Sequence, residues 1–175
     1  KQAILPRKGV IELARLLSDP EKTVEIIVGN NHIRAVTESF VFTSKLVDGK
    51  FPDYERVLPR NGDKVVVGSR EELRQAFTRT SILSNEKYRG VRFVLTEGLL
   101  TITANNPEQE EAEEQVVVNY VGAPLEVGFN VSYLQDVANV ITSETLRITL
   151  ADSNSSALIE EPNNSDSLYV VMPMR

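Results

Sequence analysis

Asn130-Val131-Ser132-Tyr133-Leu134-Gln135-Asp136-Val137-Ala138-Asn139-Val140-Ile141-Thr142-Ser143-Glu144-Thr145-Leu146-Arg147-Ile148-Thr149-Leu150 changes its hydrophobic period in mid-course. Leu134, Val137, Ala138 and Ile141 fall at i, i+3, i+4 and i+7, the apolar stripe of a helix. Leu146, Ile148 and Leu150 then alternate with polar residues, as a strand with one buried face does. Asn130 suits the N-cap of that helix. A short strand, Leu125 to Gly128, precedes it, and further strands are expected near 156–160 and 167–172.

The same unit recurs upstream, and a repeat of this size sets the architecture. In the middle copy a strand at 64–68 leads to a helix from Ser69 to about Ile82 and strands near 90–96, 98–104 and 114–121. Ser69 with Glu72 has the spacing of a capping box. Val91, Phe93 and Leu95, then Leu100, Ile102 and Ala104, supply the alternation. The first copy runs from Ile4-Leu5-Pro6 through a helix at Arg7 to Leu17, with Pro6 tolerated at its start, to strands near 24–29, 32–37 and 39–46. Leu13, Leu73 and Leu134 align, 60 and 61 residues apart. One helix against antiparallel strands in each unit makes the fold class α+β. Three units are an odd number. If two build a domain, 61–175 is one complete domain and 1–60 is half of another, joined through Phe51 to Asp63 with its prolines and Asn61-Gly62.

Composition excludes more than it identifies. With 41% hydrophobic and 25% charged residues, the 175-residue chain is an ordinary globular sequence. It has no cysteine and one histidine, His32, which removes disulfides, thiolate nucleophiles and most zinc sites. No apolar run approaches the ~18 residues of a membrane span, and a cytoplasmic setting with no membrane partner is expected. No phosphate-binding loop, dinucleotide fingerprint or zinc-protease motif occurs. Asp152-Ser153-Asn154-Ser155-Ser156 lacks the glycine and the bidentate glutamate of a calcium loop, having Ala157 and Asn163 there. Neither metal nor cofactor is expected. A hydrolase built on paired carboxylates has no residues to name.

Charge is unevenly placed in this chain of net charge −6. The first helix carries Arg7, Lys8 and Arg15 with Glu12, and the second carries Arg70, Arg74 and Arg79. Either these are solvated helix faces or they form a track for phosphates without base readout. The acidic run Glu108-Gln109-Glu110-Glu111-Ala112-Glu113-Glu114 suits a solvated loop, a protected strand edge or a dock for a basic surface. The last residues, Tyr169-Val170-Val171-Met172-Pro173-Met174-Arg175, stay apolar where a terminus is usually polar. They read as a final strand on the core or as an adaptable binding surface, for which methionine is suited.

Several blocks in one order give the chain a specific resemblance. They are Pro6-Arg7-Lys8-Gly9-Val10, Phe42-Thr43-Ser44-Lys45-Leu46-Val47-Asp48-Gly49, Phe51-Pro52-Asp53-Tyr54, Ile82-Leu83-Ser84-Asn85-Glu86-Lys87 with Arg89-Gly90-Val91-Arg92, Asn105-Asn106-Pro107-Glu108-Gln109-Glu110-Glu111, Phe129-Asn130-Val131-Ser132-Tyr133 and the Tyr169–Arg175 tail. Over essentially its whole length the chain resembles the bacterial DNA sliding clamp, the beta subunit of the replicative polymerase III. The resemblance implies a noncatalytic, head-to-tail homodimeric ring of three domains per subunit, each of two such units, with helices lining the hole. Such a ring encircles duplex DNA topologically and tethers a polymerase.

The resemblance also implies roles for residues. Arg7 and Lys8 match DNA-facing positions, with Arg74 and Arg79 as further inner-face candidates. Partner peptides, carrying glutamine and large apolar residues, would bind at Pro52, Arg56, Val57, Asn130, Tyr133, Asn154, Ser156, Val170, Met172, Pro173, Met174 and Arg175. The implied partners are the polymerase III alpha subunit, the clamp loader delta subunit and other proteins with the clamp-binding motif. Ile82 and Leu83 match an apolar contact between subunits, and Glu108, Glu110, Glu111 and Glu114 match positions facing bases of the next subunit. The family's first domain and the first half of its second have no counterpart here. The chain is therefore expected to be a piece of a longer polypeptide, unable to close a ring alone. The rival reading is a stand-alone peptide-docking module that never encircles DNA.

Overall fold

A computed structural model describes residues 2–51, 53, 55, 57–59 and 61–174, less the side chains of 165 and 166. Contacts divide the chain into two compact units, Lys1–Asp53 and Tyr54–Arg175.

In the first unit, helix α1 (Arg7–Leu16) precedes strands β1 (Glu25–Val28), β2 (His32–Val36) and β3 (Val41–Lys45), an antiparallel sheet in that order. The expected leading strand is reduced to a single bridge between Ile4 and Val47. Gly9 is the buried residue of α1. A Cβ there would come within 3.0 Å of Ser44 Oγ and 3.1 Å of Leu5 Cδ1, so glycine sets how closely the helix lies on β3. Leu13 and Leu16, one and two turns on from Gly9, are half-buried. Val10 and Ile11 are exposed, as are Ile26, Ile27 and Val41 on the strands. One helix over three short strands cannot enclose them, in keeping with the scarcity of core in small units.

The second unit contains the other two repeats. The first is β4 (Lys64–Ser69), α2 (Arg70–Ile82), β5 (Gly90–Thr96), β6 (Leu99–Asn105) and β7 (Glu111–Asn119). The second is β8 (Leu125–Asn130), α3 (Val131–Val140), β9 (Thr145–Leu150), β10 (Ala157–Glu161), β11 (Asn164–Val171) and β12 (Pro173–Met174). Ser69 Oγ accepts the Glu72 amide and Asn130 Oδ1 accepts the Ser132 amide, so both expected caps form.

Nine strands form one sheet in the order β11-β10-β9-β4-β7-β6-β5-β8-β12. Each repeat lends its leading strand to the other. β4 runs antiparallel to β9 from Lys64↔Leu150 to Ser69↔Thr145, and β8 to β5 from Gly90↔Asn130 to Leu95↔Leu125. The exchange is reciprocal to the residue. Val67 and Gly68 pair with Asn119 and Val118, while Gly128 and Phe129 pair with Met174 and Pro173. The tail is thus the second repeat's version of the end of β7, broken once at Met172.

Alternate residues of the strands face α2 and α3, which pack against each other. Phe93 stacks on Phe77 at 5.9 Å and meets Phe129 edge-on at 5.3 Å, all three fully buried. Such offset and edge contacts add to the area term. Two strands differ from expectation. β7 begins at Glu111 rather than 114, because the acidic residues ladder onto β6 from Asn105↔Glu111 to Leu99↔Val117. β11 begins at Asn164 and ends at Val171.

Candidate functional sites

The tail site grows out of the break at Met172. Val171 is buried and pairs with Ala157, and Val170 pairs with Leu158. The pairing stops there, with Ser156 and Met172 the next residue at each strand end, and Pro173 pairs with Phe129, one residue before the Asn130 cap. Met172 is 63% exposed and Tyr133, in the first turn of α3, is 58% exposed. Large side chains left in water at the edge of a filled core form a ready apolar contact.

The polar members of the site are partly committed. Asn130 accepts Ser132 N through Oδ1 and donates Nδ2 to the Tyr88 carbonyl at 3.2 Å, so its amide holds α3 in place. The amide nitrogens of Asn154 and Ser155 both bind Asp152 Oδ1 at 2.8 Å, which fixes the turn before Ser156 and holds the Asp152 carboxyl below its usual range. Val57 is half-buried in a turn. Pro52, Arg56 and Arg175 lie outside the described residues.

The candidate DNA-facing bases differ in their state. Arg7 and Lys8 occupy the first turn of α1, exposed, with no ion pair among the described residues. Arg74 grips Glu71 through Nη2–Oε1 at 2.6 Å and Nε–Oε2 at 2.9 Å, and this fork with the Gln75 amide holds Glu71 down to about 2. Arg79 forks Glu114 at 2.6 and 2.8 Å, lowering the glutamate and raising the guanidinium. Arg70 donates to the Ser143 and Ala138 carbonyls and ties α2 to the end of α3. The positive charge of α2 is therefore largely compensated within the chain, and Glu114 is already engaged.

Four of the six candidate contacts between subunits, Ile82, Leu83, Glu108 and Glu110, share one place, while Glu111 and Glu114 lie along β7. Ile82, Leu83, Pro107, Glu108 and Glu110 line a cleft of about 510 Å³. Ile82 ends α2 with 74% of its surface in solvent. Glu110 is held by Asn106, which donates Nδ2 to its carboxylate at 2.6 Å and accepts its amide at 2.9 Å. Beside the cleft, β7 pairs with β6 along 111–117 but with β4 only at Val118 and Asn119. The acidic half of β7 therefore has an open edge, where charge discourages unspecific pairing.

The sequence did not signal Arg89. Its backbone is left-handed, at φ 53°, a conformation costly for a side chain of this kind. Its carbonyl accepts Val131 N, and its guanidinium donates to Ser81 O at 3.2 Å and Ser132 Oγ at 3.4 Å. One residue thus joins the end of α2 to the start of α3. A φ value leaves no mark in hydrophobic pattern, so this link is invisible from sequence.

A reciprocal pair of helix-and-strand repeats with two helices on one face defines the clamp fold. The DNA polymerase III subunit beta of Pseudomonas aeruginosa superposes with a TM-score of 0.95 at 67% identity, covering 100% of this chain and 48% of that one. A P. aeruginosa sliding clamp bound to griselimycin gives 0.92 at 67% identity, with 100% and 47% covered. Of the family models for the DNA polymerase III beta subunit, that of the C-terminal domain matches residues 55–175 and that of the central domain matches 1–53. The chain belongs to the DNA polymerase III beta subunit family. The beta sliding clamp of Pseudomonas putida is 67% identical over 174 residues, covering 99% of this chain, and that of Escherichia coli is 56% identical over 172 residues, covering 98%. The chain spans 47% of the length of each.

Proposed function

We propose that this chain is the partner-binding part of a noncatalytic, cytoplasmic processivity clamp. The whole protein forms a homodimeric ring that encircles duplex DNA and tethers the polymerase III alpha subunit, the clamp loader delta subunit and other motif-bearing proteins. Residues 1–60 contribute the second half of the middle domain and 61–175 the third domain. The division of contacts at Asp53 and Tyr54 supports a junction at the start of the connecting segment.

The observation that carries the reading is the exposed Met172 between β11 and β12, with Tyr133 beside the Asn130 cap. Both side chains can meet a partner without disturbing the core. Met172, Pro173, Met174, Val170 and Tyr133, with Val57, Pro52, Arg56, Asn154, Ser156 and Arg175, receive a glutamine- and leucine-bearing peptide. That a clamp 67% identical to this chain accommodates griselimycin supports a ligand-accepting surface on the fold. The partner subunit meets Ile82, Leu83, Glu108, Glu110 and Glu111 along the open edge of β7. Arg7 and Lys8, with no ion pair among the described residues, meet DNA phosphates, while Arg74 and Arg79 contribute there only by exchanging their present pairs, and Glu114 meets the partner subunit only by releasing Arg79. Loss of peptide binding in Met172→Ala/Met174→Ala tests the reading, and unchanged affinity would refute it.

A further inference from the structure

Across the outer face of the nine-stranded sheet lies a cleft of about 670 Å³, within the size range of ligand pockets. It starts at Met174 on β12 and passes over Gly128 on β8 and Gly90 on β5 to Thr103 and Asn105 on β6. The two glycines put no side chain of their own on the floor, which Met174 partly covers. The Met174 thioether occupies that space, with Cε and Sδ each 3.5 Å from where a Gly90 Cβ would stand. Exposed Tyr88 forms a wall.

We propose that this cleft is a second docking site that takes the polar flank of the same partner peptide whose core sits at Met172. The proposal rests on the peptide-site reading, because the two surfaces are continuous through Met174. The occupant is an extended peptide on chemical grounds. The Asn105 and Gln109 carboxamides and the Thr103 hydroxyl line the cleft and have no partner among the described residues. Carboxamides both donate and accept, matching the alternating N–H and C=O groups of a strand. Tyr88 and Met174 offer an apolar seat at the end nearest the core site, where methionine can adapt its shape. Arg92 is already turned to Glu126 at 3.3 Å, which leaves no free cation to call for an acidic ligand. Glu111 closes the far lip and is assigned to the contact between subunits. The cleft crosses three strand spacings, roughly 14 Å, the length of about four extended residues.

The test compares a glutamine- and leucine-bearing core peptide with versions extended by four uncharged polar residues at either end, by fluorescence polarisation against the intact protein. One of the extended peptides should bind about tenfold more tightly, the value of one or two additional hydrogen bonds. Thr103→Trp, which fills the cleft from β6 without touching the core site, should abolish that gain and leave core-peptide affinity unchanged. A gain absent at both ends, or one that survives Thr103→Trp, would overturn the second site while the core site stands. A gain seen only with lysine-bearing flanks and removed by salt would place the flank on the acidic run, also overturning it. No binding of the core peptide would overturn the peptide site and this extension together.

Discussion

Ile82 gives the sharpest separation between folding and assembly. Its side chain is 74% exposed at the end of α2, so its apolar surface contributes little to the folded unit and is available to a neighbour. Fully burying an isoleucine is worth about 1.5–3 kcal/mol, and three-quarters of that is roughly 1–2 kcal/mol at each contact. A head-to-tail dimeric ring repeats the contact twice, which makes Ile82→Ser worth about 2–4 kcal/mol of assembly, a 30- to 700-fold weaker dimer. Sedimentation velocity of the intact protein over a concentration series reads the dimer constant, and thermal unfolding of the monomer reads the fold. The expected result is a monomer at concentrations where the parent is dimeric, with a melting temperature that barely moves. A dimer constant within about threefold of the parent would refute the seam, and a large fall in melting temperature would show that Ile82 serves the core.

Acid should expose the Arg74–Glu71 fork. The folded Glu71 is held at about 2, below its ordinary 4.5, by Arg74 first and Gln75 second. A lowered folded pKa means that the stabilisation is fully present above about 4.5 and fades as pH falls towards 2. The stability gap between the parent and Glu71→Gln, followed by urea unfolding from about pH 6 down to about pH 3, should therefore narrow; a constant gap would show that the pair contributes nothing. For DNA, Arg7→Glu/Lys8→Glu should lower retention of the loaded clamp on circular duplex DNA more than Arg74→Ala does, because Arg74 is already paired. Equal losses from the two variants would contradict that ranking.

Local chemistry in the sequence carried most of the elements. Stripes such as Leu134, Val137, Ala138 and Ile141 set the helices, and Ser69 and Asn130 set their starts, because side chain and backbone meet within a turn. What local pattern cannot hold is which strands pair at long range. The exchange of β4 to β9 and of β8 to β5 joins residues far apart in sequence. The same is true of Arg79 with Glu114, so basic residues that looked free on α2 prove compensated. In the first unit Val10 and Ile11 are apolar yet exposed, because residue type alone does not say what covers a helix face. At the tail, residue type suggested either a strand or a surface; β11 and β12 supply the strand, and the break between them leaves Met172 exposed while Val171 is buried. The exposed Ile82 beside Glu108 and Glu110 was nameable from the resemblance, but their common cleft required the fold.

The central claim is that the tail receives partner peptides. Fluorescence polarisation of a labelled glutamine- and leucine-bearing peptide, titrated with the intact protein and with Met172→Ala/Met174→Ala, tests it most directly. The account predicts saturable binding by the parent and a loss of at least tenfold in the variant, since two side chains of roughly 1.5–3 kcal/mol burial each are removed. Equal affinity of parent and variant, with both folded, would contradict it.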